Sequence, residues 1–387
     1  MRPVSKVKVA SVLGGLFGLI IGVGYAALTD NTGRFPHYSL PPVSPGAALI
    51  FAVAVFAVHF PMVALHELGH LAAGWFCGAH ITMLAIGPLT LRRAGRGWKL
   101  VASSGNRSGG FAGVVPKSPD RLREKMIAII AAGPLTTLLS ATIGAVLLWQ
   151  GKLSGWIAPV IAAFVFLSYL LGISELVVSQ GKGMFTDGGR LRMLLRNDER
   201  GVRWCATVAI VSSDQQGVRP RDWDPAFVQL LVRSPDRSSD SAAAALLAYS
   251  HAAGRKEVPQ ASDYIDRAMA IVNGSEPMPP LLKTVTLLSA AAFEATHRRN
   301  LDIARALWYT ATAVPGEPEY LRPAAEAAIF LAEGEQEKAR EAAALALRLM
   351  PDPPVTGSEK TAVEGLRTIL DAASQPVLSR YNSNELA

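Results

Sequence analysis

The chain has 387 residues, of which 50% are hydrophobic and only 18% charged, with a net charge of +7 and a positive mean hydropathy. A soluble protein of this size carries roughly 25% charged residues, so the balance points to a membrane protein. The basic excess sits beside apolar segments, as it does in cytoplasmic loops, and argues against nucleic acid as a partner.

Four uncharged stretches reach the roughly 20 residues that a bilayer-spanning helix needs. The first, Val9–Leu28, follows the basic start "MRPVSKVK". It is longer than a signal-peptide core of about 7–15 residues, and reads as an uncleaved span. The others cover 47–65, with the span continuing through a polar motif to 76, then 126–149 and 154–174. Arg2, Lys6 and Lys8 precede the first span. Residues 77–125 hold nine Lys and Arg against Asp120 and Glu124, and Lys182, Arg190, Arg192 and Arg196 follow the fourth. The rule that cytoplasmic loops retain basic residues then puts both termini in the cytoplasm. The expectation is a multi-pass protein of a bacterial plasma membrane, in contact with membrane lipids.

Within the second span stands "VALHELGHLAAGW", residues 63–75. The i, i+4 spacing of His66 and His70 projects both imidazoles from one helix face, as two ligands of one tetrahedral zinc require. Glu67 stands beside them, placed to take a proton from an activated water. Ionisable groups at membrane depth cost on the order of 2.5–3.5 kcal/mol each and are functional by default. Neutral histidines bound to a metal escape most of that cost. His59, seven residues earlier, reads as a packed histidine, and Cys77 as a buried thiol.

In the loop 77–125, "ITMLAIGPLTLRRAGRGWKLVAS" alternates around "AGRG" and predicts a β-hairpin of two five-residue strands at the membrane interface. Its edge could take up an extended substrate, or Arg92, Arg93, Arg96 and Lys99 could lie on anionic headgroups. The glycines of "NRSGGFAG" lack a Walker lysine, so nucleotide binding is not expected. A third zinc ligand is sought elsewhere, and Asp187 of "GMFTDGGR" is the candidate. Gly188 and Gly189 permit a tight turn that aims its carboxylate back into the bundle. The competing reading makes Asp187 a helix N-cap.

Beyond about residue 190 charges of both signs appear and helical periodicity takes over, with helices predicted over 241–253, 259–273, 281–298, 301–313, 319–333 and 336–349. "NLDIARALWYTATAVPGEP" and "EQEKAREAAALALRLMPDPP" stand about 35 residues apart and loosely resemble tetratricopeptide repeats, whose period is about 34. The fold class expected is mainly α: a polytopic bundle of four membrane helices with a small interfacial β-hairpin, then a cytoplasmic, repeat-like helical domain. The boundaries expected are a membrane-embedded domain at 1–190, a connecting segment at 191–235, the helical domain at 236–375 and a disordered tail at 376–387.

Three motifs in order, "HELGH" at 66–70, "AAGPLTT" at 131–137 and "TDGG" at 186–189, resemble the site-2 proteases, polytopic zinc metalloproteases. The resemblance covers about residues 45–195. It implies one Zn2+ held by His66, His70 and Asp187, with Glu67 catalytic and Gly133, Pro134 and Thr137 binding substrate. It further implies an intramembrane endopeptidase cutting a membrane-bound protein or peptide near the cytoplasmic face, in regulated intramembrane proteolysis. The helical C-terminal domain would serve regulation or a protein partner. Three positions depart from the family: Thr137 stands where it has Asn, and Glu175 and Val178 stand in the Asn and Pro places of its "Asn-Leu-x-Pro" stretch. Zinc chemistry therefore carries over more fully than substrate handling. The alternative is a non-catalytic zinc-binding membrane scaffold, for which Glu67, not a ligand, would have no use.

Overall fold

The first described element is a long apolar helix. In the computed structural model, residues 45–94, 97–102, 109–151, 153, 157–177, 180–181, 184–234, 236–314 and 317–374 are described. The expected first span at 9–28 and the expected tail at 376–387 lie outside them, as does Val178. Helix α1 (Pro45–Phe76) has 32 residues and runs unbroken through Pro61, and Glu67 is its one Asp, Glu, Lys or Arg. It contains the whole of the second expected span.

Two described helices are long and apolar enough to cross a membrane by length and composition: α2 (Leu122–Trp149) and α3 (Ile157–Leu176). They match the third and fourth expected spans. Leu135, Leu139, Ile143 and Val146 leave an exposed apolar stripe along α2, which suits lipid rather than water. Close approach of α2 and α3 depends on small residues. A methyl group built on Gly144 would lie 2.7 Å from Val165, and one on Gly172 would lie 2.8 Å from Leu138. The Thr142 and Tyr169 hydroxyls share a hydrogen bond of 2.9 Å.

The chain divides into two compact units, 1–66 with 134–174 and 67–133 with 175–387. The three boundaries fall inside α1, α2 and α3, which are themselves continuous helices.

In the second unit, β1 (Ala79–Ile86), β2 (Leu89–Ala94), β3 (Gly97–Ala102) and β4 (Gly110–Pro116) form one antiparallel sheet in the order β3-β2-β1-β4. The expected hairpin is present as β2 and β3, with Leu91 opposite Leu100 and Arg93 opposite Trp98. The sheet is nevertheless wider than the hairpin expected, because β1 pairs with β4 on its other side. Two glycines made β4 read as a loop, yet Gly113 is required in it: a Cβ there would lie 2.5 Å from the Thr82 hydroxyl, beside the bulge between Ile81 and Met83.

After a two-residue strand pair, β5 (Gln180–Gly181) with β6 (Met184–Phe185), the second unit is helical. Helices α4 (Asp187–Arg196) and α5 (Glu199–Gln215), a 3-10 turn (Pro220–Asp222) and α6 (Pro225–Val232) occupy most of the expected connecting segment. Trp223, Val228 and Leu231 are buried there with Ala244 and Ala248. Then come α7 (Ser239–Gly254), α8 (Val258–Val272), α9 (Pro280–Phe293) with a π-helical turn (Glu294–Arg298), α10 (Leu301–Thr310), α11 (Leu321–Glu333), α12 (Gln336–Leu349) and α13 (Gly357–Ala373). Alanines at the contacts, among them Ala327, Ala343 and Ala346, are fully buried and let these helices pack closely. The core that matters most for the site joins Leu122, Met126, Ile129 and Ile130 of α2 to Leu194 of α4 and Ala209 of α5. It holds α4 against the start of α2.

Candidate metal centre

Helix α1 presents His66, Glu67 and His70, and they are only 5%, 6% and 9% exposed. Burial of three such groups needs compensation, because a buried polar group without a partner is costly. The Nδ1 of His70 donates to the carbonyl of Ile129 at 2.8 Å. The Nδ1 of His66 shares a hydrogen bond of 3.0 Å with the hydroxyl of Thr137. A histidine whose Nδ1 is engaged in this way turns Nε2 outward as the ligand atom, the usual arrangement around a metal-binding imidazole.

The turn "TDGG" builds the start of α4. Thr186 is the N-cap, its hydroxyl accepting from the Gly189 N–H at 3.2 Å while donating to the Val177 carbonyl at 2.7 Å. The capping role considered for Asp187 thus belongs to Thr186, and Asp187 is the first residue of the helix. Gly188 packs against the end of α3, where a Cβ would meet the Leu176 carbonyl at 2.0 Å. Asp187 Oδ2 comes within 3.2 Å of His70 Nε2.

One ligand atom each from His66, His70 and Asp187 lies within 4.8 Å of the others. Ligands about 2.0–2.1 Å from a tetrahedral zinc stand roughly 3.4 Å apart, so the group has the size and donor set of a single zinc shell. Two cradles adjoin it. A Cβ on Gly133 would lie 2.2 Å from His70 Nε2, and one on Gly110 would lie 2.2 Å from Glu67 Oε1. A larger residue at either place would require the side chain of His70 or of Glu67 to shift.

The sequence reading thus anticipated the residues that meet here: His66, Glu67, His70 and Asp187. It expected Gly133, Pro134 and Thr137 to touch substrate. Gly133 adjoins His70, Thr137 is bonded to His66, and both Pro134 and Thr137 are fully buried. The carbonyl of Ile129 and the place of Gly110 were missed, and a main-chain carbonyl leaves no mark in a motif. Glu175, near the end of α3, is half-buried.

No curated protein and no solved structure matches the chain. The sequence model of peptidase family M50 matches residues 50–351, a range that takes in the HELGH helix, the Gly-Pro pair within α2, the aspartate turn and the helices through α12. With most of the chain under that match and a His-His-Asp group where a metalloprotease needs one, the chain belongs to peptidase family M50, membrane metalloproteases that use zinc.

Proposed function

We propose that this protein is an intramembrane zinc endopeptidase that hydrolyses peptide bonds of a membrane-bound protein or peptide near the cytoplasmic face. The observation that carries the reading is the convergence of His66, His70 and Asp187 with both histidine Nδ1 atoms already engaged. In this reading the two Nε2 atoms and the Asp187 carboxylate hold one Zn2+. When bound, zinc supplies Lewis-acid polarisation of the scissile carbonyl and acidifies the attacking water.

The protein's own groups do the rest. Glu67 takes a proton from the attacking water as the new C–O bond forms, and delivers it to the amine nitrogen as the C–N bond breaks. The bond from His70 to Ile129 keeps the proton on Nδ1 and the lone pair on Nε2. We assign Gly133 and Thr137 to placing the ligand histidines. A helical substrate hides its amides in its own hydrogen bonds, so it must be extended to be cut. Strand β4 is an outer strand, and its first residue, Gly110, adjoins Glu67. A substrate strand added to that edge would bring a peptide bond beside the general base. The same reading keeps four spans, both termini cytoplasmic, and a C-terminal helical region for regulation or partner binding.

The test uses the full chain in liposomes with a library of single-span membrane peptides, cleavage being read by mass spectrometry. Zinc-dependent internal cleavage is expected, and Glu67→Gln should slow it by roughly 10²–10⁴-fold, the usual worth of general acid–base catalysis, while retaining zinc. Cleavage undiminished in Glu67→Gln would overturn the assignment.

A further inference from the structure

Helix α4 has ten residues and carries Asp187 at its first position. Both of its ends are fixed by neighbours in the membrane-proximal part of the chain. At the start Gly188 packs on Leu176. At the finish Arg123 donates from Nε to the Leu194 carbonyl at 2.7 Å and from Nη2 to the Leu195 carbonyl at 3.1 Å. A cation suits that end, where carbonyls lack intrahelical partners.

A third fixing point comes from elsewhere. One turn beyond Asp187, Arg190 forks onto Asp240: Nη1 donates to Oδ2, and Nη2 to Oδ1 at 2.8 Å. The guanidinium also lies over the rings of Phe185 and Trp204, 5.1 and 5.0 Å from their centroids. Asp240 sits in the first turn of α7, where the long run of helices begins. The two side chains are 15% and 18% exposed, so this is not a solvated surface pair of the kind that contributes little. A bidentate Arg–carboxylate pair fixes direction as well as distance.

The backbone of Arg190 completes the connection. Its N–H donates to the Thr186 carbonyl at 3.0 Å and closes the turn that contains Asp187. Side chain and main chain of one residue thus tie the turn bearing the aspartate to the first helix of the C-terminal region. A metal ligand must be held within about 0.5 Å of its productive place by such supporting contacts.

We propose that Arg190, held by Asp240, is a positioning residue through which the C-terminal helical region keeps Asp187 at the metal site. The proposal rests on the reading of Asp187 as the third ligand. It gives the helical region a physical route to the site: whatever displaces α7 displaces the turn that carries the ligand.

The test measures zinc affinity of the detergent-purified full chain by competition with a chromophoric chelator. Asp240→Asn and Arg190→Lys each remove the bidentate pair with little change in size. Both should weaken zinc binding by at least about tenfold, the lower end for supporting contacts around metal ligands. Glu333→Gln breaks a bidentate pair of the same kind, Arg305 with Glu333 at 2.8 and 2.6 Å, far along the helical region. It should leave zinc affinity unchanged. In an Asp187→Ala background, where the ligand to be positioned is gone, Asp240→Asn should have no further effect. Wild-type affinity in both Asp240→Asn and Arg190→Lys would overturn the proposal, as would an equal loss with and without Asp187. A wild type that binds no zinc would instead overturn the metal-site reading, and this one with it.

Discussion

Thr137 shows how much of a metal site lies in residues that are not ligands. The HELGH spacing makes His66, Glu67 and His70 legible from the sequence, because two histidines four apart share a helix face. Their partners are not legible. Thr137 is 71 positions from His66 and Ile129 is 59 from His70, and no local pattern connects such pairs. A resemblance suggested that Thr137 handles substrate; its hydroxyl is hydrogen-bonded to His66 in a fully buried position. Thr137→Val keeps the shape and removes the hydroxyl. It should lower zinc affinity by roughly 10–100-fold, as loss of a contact supporting a ligand does, and titration against a chelator will read this. Unchanged zinc affinity with a raised KM for a cleaved peptide would return Thr137 to the substrate side.

At the scale of elements, strong periodicity was legible and glycine-rich or mixed segments were not. The helices predicted from 241 to 349 correspond to α7 through α12 within a few residues. Strand β4 escaped notice because Gly110 and Gly113 argue against a strand locally, although close packing on Glu67 and Thr82 demands both. Helix α5 escaped because its β-branched residues and a glycine are poor helix formers. Tertiary contacts stabilise it instead. Asp236 illustrates them: it accepts from Arg200 and Arg203 of α5, each at 2.9 Å, and from Ser238 at the cap of α7.

Burial opposes ionisation of Asp236, but hydrogen bonds from Ser238 and the charge of Arg203 outweigh it and hold the carboxyl below its usual range. A depressed folded-state pKa contributes stability that is present above the unfolded pKa and lost as pH falls through the folded one. Asp236→Asn should therefore lower the thermal midpoint at pH 7. The gap to wild type should close as pH falls below the unfolded Asp value of about 3.9. Circular-dichroism melts between neutral and acid pH check this, and a gap independent of pH would show that the carboxylate charge is not what matters.

At the scale of the whole molecule, composition alone points to a membrane protein, and the sequence motifs alone pair the aspartate turn with the histidine helix. The role of the helical region was less legible. The motif resemblance stopped near residue 195, whereas the family match runs to 351, well into helices with no recognisable chemistry. The contacts give a reason for treating those helices as part of one working unit. Arg190 reaches Asp240 at their beginning. At their far end α13 returns to α5 and the segment after it, with Ser358 donating to Asp214 at 2.7 Å and Glu364 receiving Arg219 at 2.7 Å. Polar contacts between segments more than 140 residues apart are set by topology, which periodicity does not encode.

The most direct measurement is zinc per chain in detergent-purified full-length protein, wild type beside Asp187→Ala. About one zinc per wild-type chain, as a single His-His-Asp shell holds, and a marked loss in the variant are expected. A folded wild type that takes up no zinc when supplied would contradict the metal centre itself. Full zinc in Asp187→Ala would contradict the place of Asp187 in it.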